Sequence, residues 1–239
     1  MASSSLPPNV HVSSHPCLQA KLSQLRSHAT NARETKSLIH EIATILSCEA
    51  LAVALQPQQA GKDKSPLGFE YNTTTISPTH ISLVPILRSG LSMTDAVLSV
   101  LPDPIPVHHL GLYREKTTLQ PVEYYNNLPY HRPPPTTNAP DPSEPSTSTP
   151  PSLAIIVDPV IATGATACAA IDTLKDWGVG RIVMLCVIGS EGGLKKAAGE
   201  WSEGVEIWVG GVDEELTDKG MLRPGLGDVG DRLFLTMGK

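Results

Sequence analysis

The sequence predicts an α/β fold in which a mainly parallel β-sheet is flanked by helices on both faces. Three short runs, Ile81–Leu87, Leu153–Val157 and Val205–Val209, are predicted to be strands, and the first two have the length and composition of strands that are buried on both faces. A stretch with helical spacing of its apolar residues follows each of the first two runs, as expected where crossover helices join parallel strands.

The N-terminal part of the chain predicts a disordered lead-in followed by two helices. Residues 1–16 begin with a Ser- and Pro-rich stretch that contains no apolar segment of the kind found in signal peptides. Apolar residues recur at helical spacing over residues 18–25 and again over residues 38–55. Between them, Thr30-Asn31 offers an N-cap for the second helix.

A strand–loop–helix unit is predicted around Arg88. After a loop at residues 56–65 and a strand at Tyr71–Ile76, the strand Ile81–Leu87 ends directly before Arg88. Ligands of open α/β sheets bind at the carboxyl ends of the strands, and Gly90 with the following helix start offers an anion-binding nest. We therefore favour a ligand-binding role for Arg88 over the simpler alternative of an exposed salt bridge.

An extended arm and a proline-rich insert are predicted in the middle of the chain. The strand Val107–Tyr113 ends at Arg114, and the polar and aromatic residues Glu115–Leu128 predict an exposed hairpin. The stretch at about 132–151 holds eight prolines among many Ser and Thr residues. This composition predicts a disordered insert at the end of the arm, within one domain that spans residues 17–239.

The centre of the predicted fold is a loop between a buried strand and a helix. Leu153–Val157 is followed by Asp158, by small and hydroxylated residues at 162–166, and by a helix over Ala167–Trp177 that stops at Gly178. The N-terminus of a helix attracts phosphate groups through its exposed N–H groups and its dipole. The loop is neither a Walker sequence nor a dinucleotide-binding fingerprint, and alone it leaves open an ordinary corner with a capping Thr.

The C-terminal third continues the same alternation of strands and helices. Strands are predicted at Arg181–Ile188 and Val205–Val209, with a helix at Glu191–Ala198 between them. Residues 221–231 are rich in Gly and predict irregular backbone, and Leu233–Leu235 is predicted to be a short closing strand.

Charge and cysteine content exclude several classes of function. The formal net charge is −6 and the pI is about 5.7, which argues against nucleic acid or a membrane surface as the main partner. Cys17, Cys48, Cys168 and Cys186 form no Cys-x-x-Cys pair, a pattern typical of buried thiols in a reducing compartment. No apolar run reaches transmembrane length, and we expect the protein in the cytoplasm, with the nucleus left open.

Four blocks of the sequence together resemble the uracil phosphoribosyltransferase family. They occur in the family's order at residues 84–91, 111–114, 157–166 and 224–232, and the similarity runs from about residue 17 to the end of the chain. The resemblance implies a type I phosphoribosyltransferase fold with a mobile arm. It also implies a pentosyltransferase of pyrimidine salvage, which converts uracil and 5-phospho-α-D-ribose 1-diphosphate (PRPP) to UMP and diphosphate.

The resemblance further implies the site residues, the cofactor and the partners. The residues implied in catalysis are Arg88, Arg114, Asp158 and Asp228. The residues implied in PRPP binding are Arg88, Arg114, Asp158, Pro159, Val160, Ile161, Ala162, Thr163, Gly164, Ala165, Thr166 and Asp228. The residues implied in uracil binding are Leu222, Gly227, Asp228 and Val229. Mg2+ is implied as a cofactor that is held mainly through PRPP, with a homodimer or higher homo-oligomer as the assembly and GTP as an allosteric activator.

Some residues depart from the family's usual pattern, and two alternatives stay open. Ala165 stands where the family's loop has a second glycine, Met221 where it has Tyr, and Arg223 where it has an aliphatic residue. One alternative is a non-catalytic protein of this fold that binds PRPP or a nucleotide and regulates a partner. A purine or orotate phosphoribosyltransferase is less favoured, because those enzymes usually carry paired acidic residues before the loop, whereas Asp158 is followed by Pro159.

Overall fold

A computed structural model of the chain describes residues 6–115, 120–129 and 150–236. The helices are α1 (Pro16–Leu25), α2 (Ala32–Ala54), α3 (Leu91–Val100), α4 (Ala165–Trp177), α5 (Glu191–Glu200) and α6 (Val229–Phe234). The strands are β1 (Val10–Val12), β2 (Gln56–Lys64), β3 (Glu70–Ser77), β4 (Ile81–Leu87), β5 (Leu110–Arg114), β6 (Pro121–Asn126), β7 (Leu153–Val157), β8 (Val160–Ile161), β9 (Ile182–Cys186), β10 (Ile188–Ser190), β11 (Val205–Val209), β12 (Val212–Asp213), β13 (Glu215–Leu216) and β14 (Leu222–Arg223).

The main sheet has the strand order β1-β11-β9-β7-β4-β5-β6. Its neighbouring strands run parallel except for β5 and β6, which pair antiparallel as the predicted hairpin. β4 and β7 are adjacent, and Pro85 pairs with Val157 at their carboxyl ends. The loops that follow these two strands therefore leave the sheet side by side, as expected for a ligand-binding edge.

Helices cover both faces of this sheet, which confirms the predicted fold class. Successive residues of a strand point to opposite faces, so Ile155 packs with the residues of α1, α2 and α3, and Ile156 with those of α4 and α5. Both residues are fully buried. Cys168 and Cys186 are also buried, as predicted, whereas Cys17 and Cys48 are exposed.

Helix α2 begins at a capping box. The Asn31 side chain accepts a hydrogen bond from the Glu34 N–H at 3.0 Å, and Glu34 accepts one from the Asn31 N–H at 3.1 Å. This helix of 23 residues contains a window with a mean hydropathy of 1.5, so by length and composition alone it would be able to cross a membrane, contrary to the expectation that no apolar run reaches that length. Its buried residues include Ile39, Ile42 and Leu46, which pack in the core against the sheet, and this packing explains the apolar composition.

The N-terminal expectation is wrong for residues 6–16. β1 pairs parallel with β11 and adds an edge strand to the main sheet. The Asn9 side chain also donates to the carbonyls of Ala198 and Val205, at 3.1 and 3.0 Å. A strand of three residues has too few positions to show alternation in the sequence, and its partner lies almost the whole chain away. Residues 1–5 lie outside the described residues.

Two further expectations are corrected, and one lies mostly outside the structure. Residues 56–65 were expected to form a loop, but Gln56–Lys64 is the strand β2, which pairs antiparallel with β3 and is polar because it is exposed throughout. Leu233–Leu235 does not form a strand, because α6 extends to Phe234. The insert predicted at about 132–151 lies outside the described residues except for 150 and 151.

Candidate active site

An open cleft with a cavity volume of about 210 Å³ lies at the carboxyl ends of β4 and β7. One wall is the loop over residues 158–166, and the other is the irregular segment over residues 222–229, hereafter the 158–166 loop and the 222–229 segment. Ile86 and Leu112 add apolar surface between them. The cleft therefore brings residues of all four sequence blocks together at the edge of the sheet where ligands are expected.

The 158–166 loop is held by regular structure on both sides. β7 ends at Val157 and α4 begins at Ala165, and between them the short strand β8 pairs parallel with β10. Gly164 adopts a left-handed conformation with φ of 78°, and a Cβ there would lie 2.5 Å from the carbonyl oxygen of Gly193. Only glycine fits this close approach of the loop to the start of α5.

The start of α4 makes the cleft suitable for an anion. Gly164 occupies the N-cap and has no side chain to cap the helix, and Thr166 and Ala167 of the first turn line the cleft. The N–H groups of a first helical turn have no partner within the helix, and the helix dipole adds partial positive charge there. The C-terminal end is closed as predicted, with Gly178 in a left-handed conformation.

Asp158 is a buried carboxyl group at the base of the cleft, 7% exposed. Burial raises its pKa to about 7, although hydrogen bonds from Ser89 and from the main chain of Val160 act in the opposite direction. The Ser89 Oγ lies 3.0 Å from Asp158 Oδ1. The carboxyl group thus changes its charge near neutral pH, in contact with the loop that follows β4.

Most of the residues that the resemblance assigns to PRPP come together in the cleft. Those of the 158–166 loop that line it are Asp158, Val160, Ile161, Ala162, Thr163, Gly164 and Thr166. Pro159 lies behind the loop, where its carbonyl accepts hydrogen bonds from the N–H groups of Val187 and Ile188 at 3.1 and 3.0 Å. Ala165 is a buried first residue of α4. Pro159 therefore supports the loop from behind.

The structure describes the side chain of only one of the two arginines that the resemblance assigns to PRPP. The Arg88 side chain turns towards the end of the chain, where it donates to Asp231 Oδ1 at 3.2 Å and to Thr236 Oγ1 at 3.0 Å. It is half-exposed and lies beside Gly230, which lines the cleft, so its guanidinium group sits at the margin of the site. Arg114 ends β5, and its side chain lies outside the described part of the chain.

The four residues that the resemblance assigns to uracil all line the same cleft. They are Leu222, Gly227, Asp228 and Val229. Asp228 also forms the N-cap of α6, where its carboxylate accepts a hydrogen bond from the N–H of Asp231 at 3.0 Å. Met221, one of the departures from the family pattern, lines the cleft as well.

Several residues around this site were not found in the sequence. Ser89 was quoted only as a neighbour of Arg88, yet it contacts Asp158. Arg26, Asp213 and Arg232 hydrogen-bond the main chain of the 222–229 segment. Arg26 lies far from that segment in sequence, and no local pattern links Arg26 or Asp213 to it.

Comparison with known proteins agrees with the residues in the cleft. A sequence profile of the family described as uracil phosphoribosyltransferase matches residues 12–236. A uracil phosphoribosyltransferase of Listeria innocua is 39% identical over 95% of this chain and 99% of its own length. A putative uracil phosphoribosyltransferase of Schizosaccharomyces pombe is 38% identical over 95% of this chain and 90% of its own length.

Solved structures give the same result at the level of the fold. A protein of Aquifex aeolicus superposes with a TM-score of 0.79 at 31% identity, over 95% of this chain and 98% of its own. An adenine phosphoribosyl transferase of Trypanosoma brucei superposes with a TM-score of 0.50 at 14% identity, over 90% of this chain and 88% of its own, and shares the fold alone. By its profile match and its similarity to curated relatives along nearly the whole chain, this protein belongs to the uracil phosphoribosyltransferase family.

Proposed function

We propose that this chain transfers the phosphoribosyl group of PRPP to uracil, giving UMP and diphosphate. The observation that carries the proposal is the cleft itself, in which the 158–166 loop and the 222–229 segment face a common space. A phosphate-binding helix start on one side and glycine-rich main chain on the other suit a phosphorylated sugar and a flat base. The alternative of a non-catalytic binding protein is less favoured, because the relatives of this chain are named as the enzyme.

The roles of the phosphate-side residues follow from their positions. The start of α4, with the hydroxyl groups of Thr163 and Thr166 beside it, would hold the 5′-phosphate. Asp158 would accept hydrogen bonds from the ribose hydroxyls. Arg88 and Arg114 would hold the diphosphate, a role that suits the forked guanidinium group. For Arg88 this role requires the half-exposed side chain to break its ion pair with Asp231. Exposed ion pairs of this kind are weak.

The reaction asks for positioning and charge stabilisation more than for covalent catalysis. The bond between C1 of the ribose and the diphosphate oxygen breaks as a bond from C1 to N1 of uracil forms, and the uracil N1 proton is released. The diphosphate leaves with the bonding electron pair, so positive groups at the leaving side stabilise the transition state. Asp158 and Asp228 line the cleft, where negative charge would favour a developing positive charge on the ribose ring.

The carboxylates present also fit the Mg2+ that we propose as the cofactor. Within the described ranges, no group of three or more His, Cys, Asp or Glu residues could hold a metal ion. Mg2+ usually binds through one or two carboxylates together with substrate phosphates. Asp158 and Asp228 are the carboxylates that would support a cation carried by PRPP, and the ion would neutralise charge on the diphosphate.

Base choice is proposed to depend on the main chain of the 222–229 segment. Gly225 and Gly227 allow N–H and C=O groups to approach a base closely, and the segment presents few polar side chains to read it. Fixed donors and acceptors reject a base with the reversed pattern, because buried groups are left unpaired. Cytosine replaces one acceptor of uracil with a donor, so we expect it to be a very poor substrate.

The test is to measure UMP formation from labelled uracil and PRPP with Mg2+, with cytosine, adenine and hypoxanthine in parallel reactions. We expect turnover of uracil alone. Binding of PRPP without turnover of any base would favour the non-catalytic alternative. Comparable rates on uracil and cytosine would contradict the proposal that main-chain groups recognise the base.

We further propose a homodimer or higher homo-oligomer in the cytoplasm, with GTP as an allosteric activator. The hairpin of β2 and β3 supports an assembly, because it exposes Leu67 and Phe69 near its tip, at 84% and 72%. Size-exclusion chromatography with light scattering tests the assembly. Measuring UMP formation with and without GTP tests the activation, and fluorescence microscopy of a tagged chain tests the location.

A further inference from the structure

The 222–229 segment is tied to two other elements of the fold through both main-chain groups of Gly225. The Gly225 N–H donates to Asp213 Oδ2 at 2.8 Å, and the Gly225 carbonyl accepts from Arg26 Nη1 at 3.1 Å. Arg26 is the C-cap of α1, and Asp213 is the last residue of β12. Elements from opposite ends of the sequence therefore fix one residue of the segment.

The two residues that grip Gly225 also fix each other. Arg26 Nη2 lies 2.6 Å from Asp213 Oδ1, and Arg26 Nη1 lies 3.2 Å from Asp213 Oδ2. The Asp213 side chain is 3% exposed and that of Arg26 is 25% exposed. Two parallel bonds from a planar guanidinium group to a buried carboxylate set both position and orientation. The partner atoms of Gly225 are thus held rigidly.

A second arginine ties the next residue of the segment to the same helix end. Arg232 Nη1 donates to the carbonyl of Leu226 at 2.8 Å and to the carbonyl of Leu25 at 3.0 Å. Leu25 is the last residue of α1 and Arg232 lies on α6. Two successive residues, Gly225 and Leu226, are therefore held against the end of α1 from two directions.

We propose that Arg26, Asp213 and Arg232 are positioning residues that hold the 222–229 segment in the geometry that recognises the base, an inference that rests on the proposed function. The residues they hold immediately precede Gly227, which lines the cleft. Main-chain groups discriminate between bases only when their positions are fixed, because a mobile segment can adapt to a reversed pattern. The three residues thus act on base recognition without touching the base.

A purely structural role makes a different kinetic prediction. If the three residues only stabilised the fold, their loss would reduce the fraction of active protein and lower Vmax, and both KM values would stay unchanged. A positioning role raises the KM for uracil and leaves the KM for PRPP unchanged, because the PRPP-binding loop is held by β7 and α4 instead. The ratio of kcat/KM for uracil to that for cytosine separates the two roles further.

The experiment uses variants of the clamp formed by Arg26, Asp213 and Arg232, together with a matched control. Asp213→Asn leaves one acceptor oxygen where two served Arg26 and Gly225. Arg26→Gln removes the charge and the fork, whereas Arg26→Lys keeps the charge alone. The control is Glu215→Gln, which removes an exposed ion pair at 3.2 Å to Arg223 within the same segment.

We expect Asp213→Asn and Arg26→Gln to raise the KM for uracil at least about 10-fold and to lower the uracil-to-cytosine ratio by about the same factor. The KM for PRPP should stay within about twofold, Arg26→Lys should fall between wild type and Arg26→Gln, and Glu215→Gln should match wild type. If Asp213→Asn does not fold, Arg26→Lys and Arg232→Lys provide the same comparison.

Each other outcome overturns the inference. Unchanged KM values with a lower Vmax would show a structural role, and equal rises in both KM values would show that the segment does not act on the base alone. In both cases wild-type turnover of uracil would leave the proposed function standing. Absence of UMP formation by the wild-type protein would overturn the proposed function, and this inference with it.

Discussion

The two walls of the cleft are held in place by different parts of the chain. The 158–166 loop lies between β7 and α4, and its strand β8 pairs with β10, so the partners that hold it come from the part of the chain that follows it closely. The 222–229 segment has little regular structure, and residues such as Arg26, far away in sequence, grip its main chain. In the proposed function, the phosphate site is therefore built locally, whereas the site that selects the base depends on contacts across the fold.

The largest expected effect comes from disturbing the locally built wall. Gly164→Ala would place a Cβ 2.5 Å from the Gly193 carbonyl oxygen and strain a left-handed residue, so the loop must move. We expect the KM for PRPP to rise at least about 100-fold. The matched control is Gly192→Ala, where a Cβ meets nothing within 4 Å. An unchanged KM for PRPP in Gly164→Ala would show that the loop is not the phosphate site.

The difference between the walls also explains what could be predicted. The apolar run Leu153–Val157, the small residues after it and Gly178 predicted a strand, a loop and a helix, and the structure confirms all three. Both walls contain residues that resemble the family, so the resemblance also predicted that Leu222 and Gly227 belong to the site. The clamp by Arg26 and Asp213 could not be predicted, because a hydrogen bond across the fold leaves no spacing in the sequence.

The errors have the same physical origin. β1 is too short to show alternation and depends on β11, more than two-thirds of the chain away. β2 is polar because it is exposed along its whole length, so its composition indicated a loop. Its structure comes from pairing with β3 instead. The spacing of apolar residues in a sequence indicates which side chains are buried. It does not indicate which strands pair, and both β1 and β2 depend on such pairing.

A second effect concerns the pH dependence of stability. Burial raises the pKa of Asp158 from 3.8 to about 7, so the folded state favours the protonated carboxyl group. Stability is therefore lost as the pH rises from about 4 through about 7, by at most about 4 kcal/mol. Asp158→Asn should remove this loss, which is measured as the difference in free energy of unfolding between wild type and variant across pH. Parallel curves would contradict the raised pKa.

A third effect concerns turnover. Losing one preorganised charged contact costs on the order of 2–4 kcal/mol of transition-state stabilisation, so Arg88→Ala and Asp158→Asn should each lower kcat/KM by about 30- to 1,000-fold. Steady-state kinetics at saturating uracil measure this. Asp231→Asn is the control, because it removes the negative charge that pairs with Arg88 and keeps the guanidinium group. Wild-type turnover in Arg88→Ala would remove its role at the diphosphate.

The smallest expected effect is the change in the free energy of unfolding when the contact of Arg88 with Asp231 is lost. Arg88 and Asp231 are 50% and 30% exposed at the side chain, and such pairs contribute about 0–1 kcal/mol. Arg88→Ala should therefore leave the free energy of unfolding in urea nearly unchanged. A loss well above that range would indicate that Arg88 serves the fold more than the site.

The division of the cleft into a phosphate side and a base side is tested most directly by PRPP binding to Gly227→Val. Gly227 lines the cleft with φ of 72°, so a branched side chain there would both strain the 222–229 segment and fill the space for the base. Calorimetry should give the wild-type affinity for PRPP, while UMP formation from uracil is abolished. Loss of PRPP binding together with turnover, or unchanged use of uracil, would contradict the division.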